Sequence, residues 1–303
     1  MKKAIVSLNS MYRCGSSTFI YHFAHDSDWE VLSFSKDGFR LDNDLPPMAN
    51  NTYYKDSDAK VLEEFDMVLF AAPRWGGNYN FLDGLLLNKV GVVNHDENDW
   101  DRMGLMDLIT TVRARSVFSC DKNLDQDGIT SLDLPFSLSL LPVKKTTTYN
   151  GTFVVHSRPT PSKQHRVIES VLSGFPVNFA SKDGRVYSWL ELAELCSISS
   201  GIVDYWSLPG PYHGVSYTAL EAWFYKKPFV GNRKYFDDEE LLEGLTCMNF
   251  SRENVEELFV NKGLSRFIGE NGYDNLERYH NPDTIRRIVE DRLLSKRLRQ
   301  YQA

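Results

Sequence analysis

The sequence predicts an α/β chain of two Rossmann-like domains facing a central cleft, and three observations predict it. The chain has 303 residues, enough for two domains of about 150 residues each. In both halves short apolar runs alternate with longer mixed segments, the pattern of βαβ units feeding a parallel sheet. Between the halves, residues 135–148 break the alternation with two prolines, a polar run and Lys144-Lys145, as a linker does. The expected domains are residues 1–148 and 149–282. Residues 283–303 form a C-terminal helix expected to cross back to the first domain. In such sheets, ligands bind outside the carboxyl ends of the strands.

The elements follow in order. In the first half, Ala4–Leu8, Trp29–Phe34, Phe65–Ala71, Val90–Val93 and Val117–Ser119 are apolar strand candidates, with helices at Ser16–His25 and Lys60–Glu64. In the second half, strands are expected at Gly151–His156, Val177–Ala180, Gly201–Tyr205 and Phe229–Gly231. Helices are expected at Lys163–Leu172, from Ser188, at Tyr217–Tyr225 and at Val255–Val260. Asp283–Arg299 reads as a long basic amphipathic helix.

Composition bounds the function. The chain is 42% hydrophobic and 25% charged with a net charge of −7, ordinary for a globular protein and unlike one coated in basic patches. Residues 91–133 are acidic, whereas the stretch after Ile285 is basic. Cys14, Cys120, Cys196 and Cys247 show no metal-ligand or redox spacing. They read as reduced thiols, and no apolar run is long enough for a signal peptide or membrane span. A cytoplasmic protein that engages no membrane is expected.

The most informative segment is SLPGPYHGVSYTALEAWFYKKPFVGN, from Ser207 to Asn232. A Pro- and Gly-rich loop precedes a helix, then a Lys227-Pro228 turn leads into a strand. His213, Gly214, Val215, Ser216 and Tyr217 stand where that helix begins. Free N–H groups and the helix dipole suit a diphosphate there, and Glu221 is placed to accept ribose hydroxyls. An ordinary loop and helix of a doubly wound domain fits the same residues. Upstream, Arg158 and Lys163 follow the Gly151–His156 strand, five residues apart. Two cations there would neutralise a departing diphosphate.

These two segments resemble the donor-binding signature of retaining GT-B glycosyltransferases. In that family two glutamates eight residues apart flank a Gly-containing loop, and EA-x-x-x-x-x-P follows. Glu221 matches the second glutamate, while His213 occupies the first position and Ser157 replaces the usual glycine before the arginine. The resemblance implies a nucleotide-sugar donor such as a UDP-sugar, no metal requirement, and retention of configuration. The substitution at His213 concerns the sugar end of that site.

Three N-terminal features complete the candidate set. Gly15 and Ser16 open the first helix after the first strand, at a loop expected to help hold the donor. His95 and Asp96 follow an apolar strand; His95 is expected to contact sugar or acceptor, and Asp96 to orient the attacking hydroxyl. An acidic solvated loop fits Asp96 and Glu97 equally. Arg74 and Trp75 follow another strand and suit an acceptor wall, with Trp75 able to stack on a sugar or base. Cys14, Gly15 and Phe19, the 66–71 strand and the strand–His–Asp pattern are similar to the DNA α-glucosyltransferases of T-even phages. That likeness implies 5-hydroxymethylcytosine in duplex DNA as acceptor, in a bacterial host cell. Arg74, Arg102, Arg113, Arg115, Lys144 and Lys145 are then the candidate phosphate contacts.

Other readings stay open: a GT-B enzyme acting on a glycan or small molecule, and a non-catalytic nucleotide-sugar binder. A metal-dependent GT-A transferase would use an Asp-x-Asp pair. The pairs at Asp26/Asp28, Asp56/Asp58 and Asp125/Asp127 follow no convincing apolar strand.

Overall fold

A computed structural model of the chain describes residues 1–8, 15–36, 51–74, 76–95, 104–121, 128–141, 149–156, 165–182, 185–205, 215–232 and 240–295. The chain divides into two compact units, Met1–Ser137 with Asn281–Ala303, and Leu138–His280. The first division falls inside the Pro-containing stretch for a packing reason. Phe136 is buried and stacks on His22 at 4.2 Å, and the Ser137 N–H donates to His22 Nδ1.

The first unit carries a seven-stranded sheet of β1 (Lys3–Ser7), β2 (Trp29–Ser35), β3 (Asn51–Lys55), β4 (Met67–Ala72), β5 (Lys89–Asn94), β6 (Ser116–Ser119) and β7 (Ile129–Ser131). Its order is β3-β2-β1-β4-β5-β6-β7, and every pairing is parallel. A parallel strand covered on both faces reads as a continuous apolar run, and MVLFAA in β4 is buried at every position. On one face Val6, Leu32, Phe34, Val68, Phe70 and Val92 pack with Leu62 and with Leu105 and Leu108 of α2 (Leu105–Thr111). Helices α1 (Gly15–Ala24) and α8 (Pro282–Leu294) belong to the same unit. A Cβ added at Gly91 of β5 would lie 2.8 Å from Phe118 and 3.3 Å from Leu293, so α8 rests directly on the strand.

The basic character of α8 is partly spent on this docking. Arg286 is buried and donates to the carbonyls of Phe23 and His25, while Glu290 accepts from Lys3 Nζ at 2.8 Å and Trp29 Nε1 at 2.9 Å. The described helix ends at Leu294; residues 296–303 lie outside the described residues. One local expectation is corrected. Residues 56–64 form a 3-10 segment rather than an α-helix over Lys60–Glu64. Its start is tied down by Asp58, whose carboxylate accepts the Lys55 N–H.

The second unit has a five-stranded parallel sheet of β8 (Phe153–Val155), β9 (Val177–Phe179), β12 (Gly201–Asp204), β13 (Phe229–Gly231) and β14 (Cys247–Asn249), in the order β14-β13-β12-β8-β9. A two-stranded ribbon of β10 (Ser181–Lys182) and β11 (Arg185–Val186) stands apart from it. Helices α3 (His165–Val171), α4 (Trp189–Ile198), α5 (Tyr217–Phe224), α6 (Arg252–Val260) and α7 (Lys262–Tyr279) complete the unit. Ser188 and Glu191 form a reciprocal capping box at the start of α4. Phe153, Val155, Ile168, Val203, Val230, Val255, Leu258 and Ile268 form the core. Burial of each such side chain contributes roughly 1.5–3 kcal/mol.

One buried cation bears on stability. Lys227 is fully buried, with its Nζ 4.1 Å from the centre of the Tyr149 ring. Burial lowers its pKa to about 8. Between pH 8 and the ordinary lysine value, the unfolded chain therefore binds more protons, and stability rises with pH. Burial also raises Cys247 to about 12. That group works in the opposite direction once an unfolded thiol begins to ionise, near pH 9. The melting temperature is therefore expected to rise between pH 8 and pH 9, and Lys227→Met to abolish the rise, as thermal unfolding at the two pH values will read.

Candidate functional site

Both sheets have a point where the strand order reverses, the place outside the carboxyl ends of the strands where open α/β sheets bind ligands. In the second unit it lies between β8 and β12, the central pair in the order β9-β8-β12-β13. β8 is followed by His156, whose N–H still donates to the Val203 carbonyl of β12. Beyond β12, the chain returns at Val215, and Ser216 caps α5 by accepting the Ala219 N–H. Tyr217 is thus the first helical residue, and the positive end of α5 belongs to the loop that follows β12. Glu221 stands one turn further along, where its carboxylate meets the imidazole of His156. Each of these two side chains is only 13% exposed.

Helix α5 is held firmly. Trp223 is fully buried and donates its Nε1 hydrogen to the Thr246 carbonyl at 2.8 Å. Thr246 Oγ1 donates to the Glu240 carbonyl, and Glu240 pairs with His280 at 2.7 Å, nearly out of solvent. Tyr225, four residues beyond Glu221, is buried, and its hydroxyl has no hydrogen-bond partner among the described residues. Burial first, and the Glu221 charge second, push its pKa up, so it remains a neutral phenol.

In the first unit the order reverses between β1 and β4, and Arg74 bridges them. Its Nε donates to the Leu8 carbonyl just past β1 at 3.0 Å. Its two terminal nitrogens grip Asp56 at 2.7 and 2.6 Å, and its guanidinium lies 4.5 Å from the Phe81 ring centre. A bidentate pair of this kind uses the fork that would otherwise hold a phosphate. What the arrangement itself provides is a braced rim. Asp56, half of one of the Asp-x-Asp pairs, is thereby an ion-pair partner.

His95 directly follows β5 and is buried. Its Nε2 lies 2.5 Å from the Ala71 carbonyl. A carbonyl only accepts, so Nε2 carries the hydrogen and Nδ1 is the acceptor nitrogen. Phe19 of α1 contacts the ring edge-on at 5.2 Å, which fixes its plane. Asn94, the residue before it, is fully buried. Its Nδ2 donates to Ser119 Oγ, and its Oδ1 has no partner among the described residues. Gly15 and Ser16 open α1, with Gly15 exposed and open space around it.

The structure therefore brings Val215, Ser216, Tyr217 and Glu221 to the carboxyl end of the second sheet, and Arg74 and His95 to the carboxyl end of the first. Arg158, Lys163, His213, Gly214, Asp96 and Trp75 lie outside the described residues, as do Arg102, Lys144 and Lys145. Arg113 and Arg115 stand at the opposite, amino-terminal edge of the first sheet. They precede β6 there and line a cavity of about 490 Å³ with Glu63, Glu64 and Asp66. His156 and Asn94 are additions that sequence reasoning missed. A signal existed for His156: like His95, it is a histidine placed immediately after an apolar strand. Among the described residues, no group of three or more His, Cys, Asp or Glu side chains converges to hold a metal ion, and no helix is long and apolar enough to cross a membrane.

No family model and no curated protein sequence matches the chain. Its backbone, by contrast, is similar to solved structures over nearly its whole length. An alpha-glucosyltransferase in complex with UDP and a 13-mer DNA containing an A:G mismatch matches with a TM-score of 0.77 and 13% identity, covering 96% of this chain and 99% of that one. The same kind of enzyme with UDP-glucose and DNA containing an abasic site matches with a TM-score of 0.76, at 13% identity over 97% and 99%. Anabaena HepE in complex with UDP and glucose matches with a TM-score of 0.71, at 12% identity over 97% and 100%. The chain has the GT-B fold. At such identities it is the architecture that the likeness carries.

Proposed function

We propose that the chain is a retaining glycosyltransferase that moves a glucose-like sugar from a UDP-sugar to a hydroxyl of 5-hydroxymethylcytosine in duplex DNA. The observation that carries the donor half is Glu221. It is a shielded carboxylate at the carboxyl end of the second sheet, beside the point where the strand order reverses and one turn from a helix N-terminus. Such a position suits a ribose accepted by the carboxylate and a diphosphate laid toward the helix N-terminus. In this reading Arg158 and Lys163 neutralise the β-phosphate as its bond to the sugar C1 breaks. N–H groups from Val215 to Tyr217 assist, and no metal is required. The acceptor oxygen forms the new bond to C1 on the same face and releases its proton to the departing phosphate. His213 and Gly214 are assigned to the sugar in this reading, and Gly15 and Ser16 are further candidates for holding the donor.

His95 contacts the donor sugar or the acceptor, and Asp96 orients the attacking hydroxyl. Arg74 and Trp75 form the acceptor wall. The DNA acceptor draws support from the alpha-glucosyltransferase complexes, which contain DNA. HepE, bound to UDP and glucose, favours a second reading with a non-nucleic-acid acceptor. Bacteriophage origin and a cytoplasmic setting in the host cell follow the DNA reading.

The test is UDP release from UDP-glucose, with and without hydroxymethylated duplex DNA, in the presence of a chelator. Stimulation by that DNA, declining steeply as salt rises, is the expected result; stimulation only by simple glycans would move the chain to the second reading. Glu221→Ala is expected to weaken UDP binding about tenfold or more, read by calorimetry.

A further inference from the structure

Glu221 is not alone. Its carboxylate is paired with His156, and the two side chains share the same low exposure of 13%. They come from different elements: His156 from the end of β8, Glu221 from α5 after β12. β8 and β12 are neighbours in the sheet, so the pair spans the place where the strand order reverses. A carboxylate has only acceptor sites, so His156 must present Nε2–H to Glu221 Oε2. That contact constrains the plane of the carboxylate. A glutamate side chain otherwise loses rotamer freedom on gripping a ligand, and a partner that holds it beforehand removes that cost. A second residue that orients a binding group often matters nearly as much as the group itself.

We propose that His156 is a positioning residue for the donor nucleotide. By holding Glu221 in one orientation, it makes the site selective for a nucleoside diphosphate with an intact ribose diol over one lacking those hydroxyls. The inference rests on the donor-site reading above, and its test separates the two.

The measurement is calorimetric binding of UDP and of 2′,3′-dideoxy-UDP to the full-length chain. The wild-type protein is expected to prefer UDP by about tenfold or more, and Glu221→Ala to lose that preference. His156→Leu and His156→Ala, which cannot donate, are expected to lose it as well. His156→Gln, whose amide can donate to the carboxylate, is expected to keep most of it. Either non-donating variant suffices if the other fails to fold, which thermal unfolding reports. A preference that disappears in Glu221→Ala but survives in His156→Leu or His156→Ala overturns the role of His156 and leaves the donor site standing. Absence of the preference in the wild type, or its survival in Glu221→Ala, overturns the placement of ribose at Glu221 and the proposal with it. In turnover assays the non-donating variants should raise the KM for UDP-glucose more than they lower kcat. A change confined to kcat contradicts a role in holding the nucleotide.

Discussion

Arg158→Ala and Lys163→Ala are each expected to cut turnover of the nucleotide sugar by about 10²-fold or more, the scale on which removing one preorganised stabiliser of developing charge acts. The physical demand is specific. When the bond between the sugar C1 and the diphosphate breaks, negative charge gathers on the β-phosphate, and without a metal only fixed cations and N–H dipoles can meet it. Both residues follow β8 in sequence. In sequence they follow His156, the residue whose imidazole meets Glu221. Because the charge develops in the transition state, the loss should appear mainly in kcat, with a smaller change in UDP affinity. Arg166→Ala, an exposed position on α3, provides a control that should behave like the wild type. Initial rates of UDP release across donor concentrations measure all three. Near-normal kcat in both Arg158→Ala and Lys163→Ala would remove the leaving-group assignment.

The second large effect concerns folding of the unit that carries Glu221. Helix α7 lies so close to α5 that glycine is required at two positions. A Cβ at Gly269 would overlap the backbone carbonyl of Lys226, and one at Gly272 would overlap the indole of Trp223. Neither neighbour can step aside. Lys226 is already in the left-handed region at φ 55°, and Trp223 is buried and hydrogen-bonded to Thr246. Gly269→Ala and Gly272→Ala are therefore each expected to cost about 2 kcal/mol or more through overpacking. In a chain of this size that lowers the melting temperature by roughly 3 °C or more. The displaced α5 should also weaken UDP binding in protein that still folds. Thermal unfolding checks the first effect and calorimetry the second; unchanged melting temperatures would mean that the two helices do not approach this closely.

Helix α7 also shows why part of the fold was illegible in the sequence. KGLSRFIGENGYDNLERY carries three glycines, which argue locally against a helix because each costs about 1 kcal/mol relative to alanine. The close contact with α5 outweighs that cost, and no local pattern announces it. Edge strands were hidden for a different reason. NTYYK in β3 and ITS in β7 are only half-buried, so they lack the apolar run that marks the central strands. Strands such as β4 and β13 were plain because both faces are covered.

The candidate site divides along the same line. The places of Glu221 and His95 were readable, because a helix start after a Gly-rich loop and a polar residue after an apolar strand are local patterns. By itself the sequence determined the α/β class and the two-unit organisation, since periodicity and loop chemistry are properties of neighbouring residues. Only the tertiary structure decided that His156 meets Glu221, that Arg74 spends its charge on Asp56, and that Arg286 faces the carbonyls of Phe23 and His25. Each of those pairings joins groups far apart in sequence, and what a charge does depends on the partner the fold sets against it.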